Sequence, residues 1–471
     1  MDEQTSQKPV NPRRKKRSQM QIFKETYLPV IIAGVSLVMI LIFIIGAISR
    51  GIQNGKAAKE ASIQASESEA AAYAQLEEEA NRLITGSQTF AAGYDYDRAI
   101  AVIDTFSGDV SQFPKLTELK QQYTNAKSSL VAWNDPAQVT NLSFMPLMVD
   151  TKRAFADDVY GEYYNRRYVT IGEFQKILEQ LYANNYVLVG MDDIVSSADG
   201  SYSAGTVYLP DGKKPIMITQ VNVSYPYQLV DGNNDLRPDK NGDGFASKLV
   251  LDENGNLACE YVDDQGQTQV GAYDLVPILS AFVKEHPDFS YKGAKATLAV
   301  TGYNGVFGYR IQADAEKTSG TALFEKEKAA VKELAETLRS EGYDLACYTY
   351  EDIGYGDKDV STVKEDLASW TDEIAPVLRD VSIFVFAQSS DIADKENEYS
   401  GDKYSALQSA GFHIFMGNAS DGKTWISLKD SYVRQGRVLV SGTTMAYNSD
   451  WFNGMFDAKA ILDSSRGDVP Q

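Results

Sequence analysis

The sequence is poor in the two residue types that most often build catalytic and metal centres. Among 471 residues there are only two cysteines and two histidines. Cys259 and Cys347 are too few for a disulfide framework and match no zinc motif, so we expect two buried free thiols, with a single bridge as the alternative. His286 precedes a proline and His413 lies in an apolar stretch, so both are expected to be structural. A Ser-His-Asp triad is therefore not expected.

Other functional motifs are missing as well. The sequence contains no Gly-x-Ser-x-Gly motif and no glycine-rich phosphate loop of the nucleotide-binding type. The formal net charge is −20; residues 1–49 hold seven basic and three acidic residues, which leaves −24 for residues 50–471. A surface this acidic repels phosphate backbones, so nucleic acid is not an expected partner.

Near the N-terminus lies an uncharged apolar segment, residues 27–49, preceded by the basic run 13–17. Roughly 20 apolar residues suffice to cross a bilayer as a helix, and basic flanks stay in the cytoplasm. We therefore predict a cytoplasmic tail at 1–26, one transmembrane helix and an extracellular C-terminal part at the plasma membrane. A cleaved signal peptide ending at Ala47 and Ser49 is the alternative.

The outer part has two textures. Residues 50–135 are predicted to form a helical stalk and hairpin that acts as a spacer, and residues 136–471 alternate strands with helices, which indicates an α/β domain with a largely parallel sheet. The predicted helices of the hairpin are Asp95–Phe106 and Lys115–Trp133. The predicted strands of the second part are Leu142–Val149, Tyr186–Val189, Pro215–Ile218, Ala296–Val300, Ser382–Phe386, His413–Met416 and Arg437–Ser441. Its predicted helices are Ile171–Ala183, Tyr273–Glu285, Glu325–Glu341, Thr362–Leu378 and Lys403–Ala410.

Several passages between residues 140 and 460 resemble the polysaccharide deacetylase (NodB homology, carbohydrate esterase) family, in particular its membrane-anchored Gram-positive members. The passages are 170–182, 186–189, 271–279, 286–295 and 301–310. The resemblance implies a distorted (β/α) barrel of about seven strands, with an acidic insertion at about 228–270. In a barrel of this type the ends of the strands carry the chemistry.

In that family one Asp and two His hold a divalent metal, a second Asp acts as base and a later His as acid. Here Val221 occupies the base position and Asn222 the metal-carboxylate position. Tyr348 and Asp352 lie where the two imidazoles are expected, and residues 437–442 lack the acid histidine. The resemblance therefore implies an inactive pseudoenzyme that binds envelope glycan or a partner protein.

The alternative is an active metal-dependent deacetylase of N-acetylated cell-wall polysaccharide. It would hold zinc or a similar ion through unusual ligands: Asn222, Asp352 and Glu351.

Five tyrosines cluster by motif around the family's catalytic mouth. Aromatic faces stack on sugar rings, so these residues are candidates for glycan binding; the alternative is that they fill the vacated metal cavity. The candidates are Tyr225, Tyr227, Tyr348, Tyr350 and Tyr355.

The insertion contains a possible calcium loop. Asp239, Asn241 and Asp243, followed by Gly244, match the start of an Asp-x-Asn-x-Asp-Gly motif, although Val250 replaces the bidentate Glu. A solvated turn rich in Asp, Asn and Gly is the alternative.

Overall fold

The computed structural model describes residues 55–156 and 160–471. The predicted cytoplasmic tail and transmembrane helix fall on residues 1–49, outside the described residues, and remain predictions. Within the two described ranges, no helix combines the length and the apolar character needed to span a bilayer. The described chain divides into two compact units, one of residues 55–91 and 95–128 and one of residues 92–94 and 129–471.

The first unit is a small helical structure with its own apolar core. Its helices are α1 (Gly55–Ala92), α2 (Tyr96–Ile103) and α3 (Pro114–Ser128). Asp95 begins α2 by accepting a hydrogen bond from the backbone N–H of Arg98. All three helices contribute to this core, which contains Ala80, Leu83, Ile84, Ala99, Val102, Ile103, Leu116, Leu119 and Tyr123.

The second unit is built around a closed parallel barrel. Its strands are β1 (Val131–Trp133), β2 (Thr140–Phe144), β3 (Tyr186–Leu188), β4 (Val195–Ala198), β5 (Ser201–Ala204), β6 (Val207–Leu209), β7 (Lys214–Gln220), β8 (Lys248–Leu251), β9 (Leu257–Val262), β10 (Thr268–Gly271), β11 (Thr297–Val300), β12 (Asp344–Cys347), β13 (Ile383–Val385), β14 (Ile414–Asn418), β15 (Trp425–Leu428) and β16 (Val433–Leu439). Seven of them pair in parallel in the order β11, β12, β13, β14, β16, β2, β7. The pairs Thr219–Thr297 and Gln220–Leu298 join β7 back to β11. The predicted (β/α) barrel of about seven strands is therefore confirmed.

Helices surround the barrel and cover its outer face. They are α4 (Thr151–Ala154), α5 (Gly161–Arg167), α6 (Ile171–Ala183), α7 (Met191–Ile194), α8 (Tyr227–Val230), α9 (Leu275–Glu285), α10 (Ala313–Ser319), α11 (Thr321–Ser340), α12 (Val360–Ser369), α13 (Ala375–Leu378), α14 (Gly401–Ser409), α15 (Gly442–Tyr447) and α16 (Ala458–Ile461). In the insertion, β8, β9 and β10 form a separate antiparallel sheet. Cys259 and Cys347 are buried free thiols, as predicted.

Three of the predicted elements differ from the observed ones for a clear physical reason. The helix Lys115–Trp133 ends at Ser128, because Val131–Trp133 pairs as strand β1 with β6. The strand Leu142–Val149 ends at Phe144, shortly before Pro146, which has no N–H for a ladder. The helix Thr362–Leu378 is interrupted by a π-helical turn at Trp370–Ile374, where Pro376 removes a backbone hydrogen bond.

The barrel interior contains a layer of hydrogen-bonded polar side chains. The Asn141 amide donates to Gln435 Oε1 at 2.9 Å, and the Thr219 hydroxyl donates to Asn141 Oδ1 at 2.8 Å. Because side chains alternate along a strand, Ser143 and Arg437 point to the same inner face, one step closer to the carboxyl ends. This polar layer therefore leads up to the end of the barrel where the loops meet.

The C-terminal segment is tied to the barrel through one buried ion pair. Arg466 Nε and Nη2 donate to the two carboxylate oxygens of Glu173, each at 2.6 Å, and both side chains are almost fully buried. The remaining donors of Arg466 reach Asn165 and the Tyr168 carbonyl. Glu173 also closes the capping box of α6 with Thr170. The pair thus holds both ends of the segment between α5 and α6.

We predict that Arg466→Met lowers the free energy of unfolding by about 3–5 kcal/mol, because the Glu173 carboxylate would stay buried without its partner. Urea denaturation followed by tryptophan fluorescence measures it, since all four tryptophans lie in the second unit. Lys317→Met, which breaks the exposed pair with Asp314, is the control and should leave the free energy of unfolding almost unchanged, because solvent screens exposed ion pairs. Equal effects of the two substitutions would contradict a structural role of the buried pair.

Candidate functional site at the barrel mouth

The carboxyl ends of the parallel strands meet at one end of the barrel, which we call the mouth. Strained backbone is concentrated there: six residues that follow β7, β12 and β13 have positive φ although none is a glycine. They are Asn222 (56°), Tyr225 (47°), Thr349 (62°), Asp352 (54°), Gln388 (54°) and Ser389 (60°). Such conformations cost free energy and cluster at functional sites, which favours the mouth as the site of function.

Two residues follow β7 at the rim of the mouth. Val221 is buried and donates its backbone N–H to the Phe144 carbonyl at 2.9 Å, but its side chain cannot accept a proton. Asn222 is 7% exposed, and its Oδ1 is buried without a hydrogen-bond donor. An unpaired buried acceptor is unfavourable in the absence of a ligand, so Asn222 is a point where a ligand donor would be stabilised.

Tyr348 and Asp352 follow β12 on the other side of the mouth. Burial raises the pKa of Tyr348 to about 12, the charge of Asp352 adds to this, and the charges of Arg437 and Arg167 oppose it. Burial, with a smaller contribution from the charge of Asp366, raises the pKa of Asp352 to about 7. At neutral pH Tyr348 is therefore a neutral hydrogen-bonding group, and Asp352 is in the range useful for proton transfer.

Arg437 brings a positive charge to the mouth from β16. Its Nη1 donates to Ser143 Oγ at 2.6 Å and its Nη2 to Asn418 Oδ1 at 3.3 Å, while its Nε is buried without an acceptor. The residue is 3% exposed. Burial lowers the pKa of Arg437 to about 10, so the guanidinium is still charged at neutral pH.

These side chains do not fit a divalent metal. Asn222 is neutral, Tyr348 keeps its proton at neutral pH, and the Arg437 cation acts on the same region. Among the described residues, the group of three His, Cys, Asp or Glu side chains whose ligand atoms converge is Asp231, Asp235 and Asp239 of the insertion. The metal-dependent reaction needs anionic or imidazole ligands, which the side chains of Asn222 and Tyr348 do not supply.

Neither histidine lies at the mouth. His286 ends α9 and stacks on Tyr182, with ring centroids 4.4 Å apart. His413 directly precedes β14, at the amino end of that strand and therefore at the opposite end of the barrel. Both positions agree with the structural roles expected from the sequence.

Two of the five predicted glycan-binding tyrosines are buried structural residues. Tyr225 and Tyr355 are 0% exposed and donate hydrogen bonds to the buried carboxylates of Asp274 (2.6 Å) and Asp366 (2.7 Å). A ring without exposed surface cannot stack on a sugar, so the prediction is wrong for these two residues.

The other three candidates differ in their surroundings. Tyr350 is 8% exposed, donates to Glu373 at 2.7 Å, and packs so closely on Gly302 that a Cβ there would lie 2.2 Å from the ring. Tyr227 is half-buried beneath the guanidinium of Arg310, 4.1 Å from the ring centre. Tyr348 is the candidate that the structure places beside the polar groups of the mouth.

The sequence interpretation missed a tyrosine cluster on α5. Residues 160–168 contain four tyrosines, and Tyr163 is 46% exposed with its ring centre 5.9 Å from that of Tyr168. Burial raises the pKa of Tyr168, and Tyr163, Tyr348 and Asp352 raise it further. The exposed Tyr163 is thus linked through Tyr168 to the mouth. The density of tyrosine in this short segment was the available signal.

The predicted calcium ligands Asp239 and Asp243 have different partners in the structure. Asp239 lies in a group with Asp231 and Asp235, whose ligand atoms are within 4.8 Å of one another. Asp243 instead accepts a hydrogen bond from Tyr164 at 2.5 Å, and the Asn241 amide donates to the side chain of a neighbouring asparagine at 2.9 Å. Calcium binding by the insertion stays a prediction, with a ligand group that shares only Asp239 with the predicted one.

Comparisons with known proteins add little to this geometry. No protein family model and no curated protein matches the chain. A solved structure that matches is a Streptococcus pyogenes deacetylase, PplD, in complex with acetate. The match covers 65% of this chain and 93% of that chain, at 10% sequence identity and a TM-score of 0.33. A likeness at this score decides nothing about the chemistry of the present chain.

We predict that Asp352→Asn raises the melting temperature at pH 8 and has little effect at pH 4. As the pH rises from 3.8 toward 7, the unfolded carboxyl loses its proton while the folded one keeps it, so the stability falls across this window. The amide has the same shape and no such penalty. Melting curves at a series of pH values measure the difference, and a difference independent of pH would contradict the burial of this carboxyl.

Asp359→Ala is the control of opposite sign. Asp359 caps α12, and the backbone N–H of Thr362 together with Ser361 lowers the pKa of this carboxyl to about 2. Its contribution is present above the ordinary pKa of 3.8 and is lost as the pH falls toward 2. The alanine variant should therefore melt at a lower temperature than the wild type at pH 8.

Proposed function

We propose that this chain is a cell-surface, polysaccharide deacetylase-like protein that binds envelope glycan at the barrel mouth without hydrolysing it. In this proposal residues 27–49 anchor the chain in the plasma membrane and the barrel lies outside the cell. The resemblance of five sequence passages to the deacetylase family and the closed parallel barrel support the assignment. A partner protein of the envelope is the second possible ligand.

The observation that carries the proposal is the chemistry of the positions that follow β7 and β12. Where the family has a base, a metal carboxylate and an imidazole, this chain has Val221, Asn222 and a protonated Tyr348. The positive charge of the Arg437 guanidinium, on the inner face of β16, is close enough to Tyr348 to lower the pKa of its hydroxyl. A fixed cation repels a divalent ion, so the mouth is better suited to hold a polar ligand than a metal.

Glycan binding is supported by the combination of an exposed ring and unpaired polar atoms. Tyr163 offers an exposed aromatic face near the mouth, and such faces pack on the apolar C–H surface of sugar rings. The unpaired Oδ1 of Asn222 and the hydroxyl of Tyr348 provide an acceptor and a donor for sugar hydroxyl groups.

One observation favours the alternative of an active deacetylase. The pKa of Asp352, raised to about 7 by burial, suits a group that transfers protons at neutral pH. In this alternative Asn222, Asp352 and Glu351 would hold zinc or a similar ion. Glu351 is exposed, and its backbone N–H donates to Asp366 at 2.8 Å.

We predict that Tyr163→Ala weakens binding of a glycan hexamer about two- to tenfold, the effect of losing an aromatic contact of roughly 0.5–1.5 kcal/mol. Isothermal titration of the full chain with N-acetylglucosamine hexamer measures it. The matched control is Tyr208→Ala, which removes a ring 48% exposed in β6, before the amino end of β7. Equal affinity of the wild type and both variants would count against a glycan-binding role of Tyr163.

The same hexamer tests whether the reaction is retained. We expect no acetate release when the full chain is incubated with equimolar zinc or cobalt, and no stoichiometric metal after dialysis, because the ligand positions hold an amide and a phenol. Metal-dependent acetate release that is abolished by Asn222→Ala would establish the active alternative and end the pseudoenzyme proposal.

A further inference from the structure

Three arginines of the second unit are buried, and they differ in how their charge is compensated. Arg434 has four acceptors, including the Asp391 carboxylate at 2.9 Å, and Arg466 has five, including both oxygens of Glu173. Arg437 has two acceptors, both on neutral side chains. Within the described ranges no carboxylate lies within 4.0 Å of its guanidinium.

A buried cation without a counter-charge is strongly unfavourable unless something else compensates it. Arg437 lies on the inner face of β16, between Ser143 at the end of β2 and Asn418 at the end of β14. Its position next to the carboxyl ends of two neighbouring strands places the uncompensated charge at the mouth. Arg437 therefore lacks a counter-charge at the end of the barrel where a ligand would enter.

From this geometry we infer that the mouth binds an acidic glycan, whose oxyanion, a carboxylate or a phosphate, supplies the counter-charge of Arg437. The inference rests on the proposed function and names the ligand class of the same site. Oxyanions accept the charge-assisted hydrogen bonds that a guanidinium donates best. Tyr348, which is 8% exposed and lies in the field of Arg437, supplies a hydroxyl donor at the surface of the mouth.

A second cation lies on the exposed side of the mouth. Arg167, the last residue of α5, is exposed, and its charge also acts on Tyr348. No carboxylate of the described chain lies within 4.0 Å of it, whereas the adjacent Arg166 pairs with Glu162. An oxyanion at Tyr348 would thus be in the field of one buried and one exposed arginine, while the sugar ring reaches Tyr163 on the same helix.

Negative charge near the mouth opposes the ligand and sets its selectivity. The negative charge of Asp352 lies close enough to Tyr348 to raise the pKa of its hydroxyl. In addition, residues 50–471 carry a net charge of −24. Long-range forces therefore repel polyanions in general, and an acidic sugar gains only from the two local arginines. The acidic group must be part of a ligand whose ring also packs on tyrosine.

The test compares the affinities of three oligosaccharide probes of matched length, measured by isothermal titration of the full chain at pH 8 in 150 mM salt. One alternates glucuronate with N-acetylglucosamine, one carries phosphate on a neutral oligosaccharide, and one is neutral N-acetylglucosamine hexamer. We expect at least one acidic probe to bind about tenfold or more tighter than the neutral one, the effect of one charge-assisted hydrogen bond. Which acidic probe binds more tightly identifies carboxylate or phosphate as the ligand group.

Arg437→Met should abolish the preference for the acidic probe and leave neutral binding in place. Methionine has a volume similar to that of arginine and carries no charge, so Arg437→Met should melt at a temperature no lower than that of the wild type. Arg434→Met should melt at a lower temperature, because it leaves the Asp391 carboxylate without its partner. Equal binding of acidic and neutral probes by the wild type, or an acidic preference that survives in Arg437→Met, would overturn the inference while glycan binding stands. If no probe binds, the proposed function fails as well.

Two surface variants keep the test decisive if Arg437→Met does not fold. Arg167→Gln should weaken binding of the acidic probe severalfold, and Asp352→Asn should strengthen it, with neutral binding unchanged in both. These opposite signs follow from the charges that act on Tyr348. Changes of the same sign for the acidic and the neutral probe would contradict an electrostatic origin.

Discussion

Closure of the barrel by two residue pairs is the constraint on which the rest of the second unit depends. Thr219 and Gln220 of β7 pair with β11, and this short ladder turns an open sheet into a ring. Because all seven strands are parallel, closure brings every carboxyl end to one rim. Asn222 follows β7, Tyr348 follows β12 and Arg437 lies near the carboxyl end of β16, so residues far apart in sequence lie on the same rim.

Two buried carboxylates then fix the loops of that rim. Asp274 accepts hydrogen bonds from Gln220 and Tyr225, and Asp366 accepts from the backbone N–H groups of Tyr350 and Glu351. These hydrogen bonds replace the contacts with water that each carboxylate loses on burial. They explain how the strained backbone after β7 and β12 is maintained, and why tyrosines near the mouth serve mainly as structural donors.

The charges at the mouth separate this barrel from a metal-dependent hydrolase. A metal site needs a converging set of anionic or imidazole ligands, but the mouth here contains the guanidinium of Arg437, the protonated phenol of Tyr348 and the amide of Asn222. In the proposed function, the same region that lacks suitable metal ligands contains Arg437, whose charge has no carboxylate partner among the described residues.

The sequence was informative where the signals are local. Helix α6 was predicted with the bounds Ile171–Ala183 that the structure shows, because the Thr170–Glu173 capping box and its apolar periodicity agree. Strand β16 was predicted to begin at Arg437, but it begins at Val433. The polar residues Arg434 and Gln435 break the apolar pattern that would indicate a buried strand. Their burial depends on partners in other strands and loops, which no local pattern reveals.

The site was harder to predict for the same reason. Its positions after β7 and β12 followed from the family resemblance, but the burial of Tyr225 depends on a carboxylate 49 residues away. The proposed role of Arg437 depends on the absence of a nearby carboxylate among the described residues, which only the three-dimensional structure reveals. Only the tyrosine-rich segment 160–168 carried a local signal that could have been recognised in advance.

A crystal structure of the chain with a bound acidic oligosaccharide, combined with anomalous diffraction for metals, tests the central claim most directly. The account predicts an oxyanion within hydrogen-bonding distance of Tyr348 in the field of Arg437, a sugar ring against Tyr163 and no metal at the mouth. A divalent ion coordinated by Asn222 and Asp352, with the sugar's acetamide group bound to it, would contradict the account.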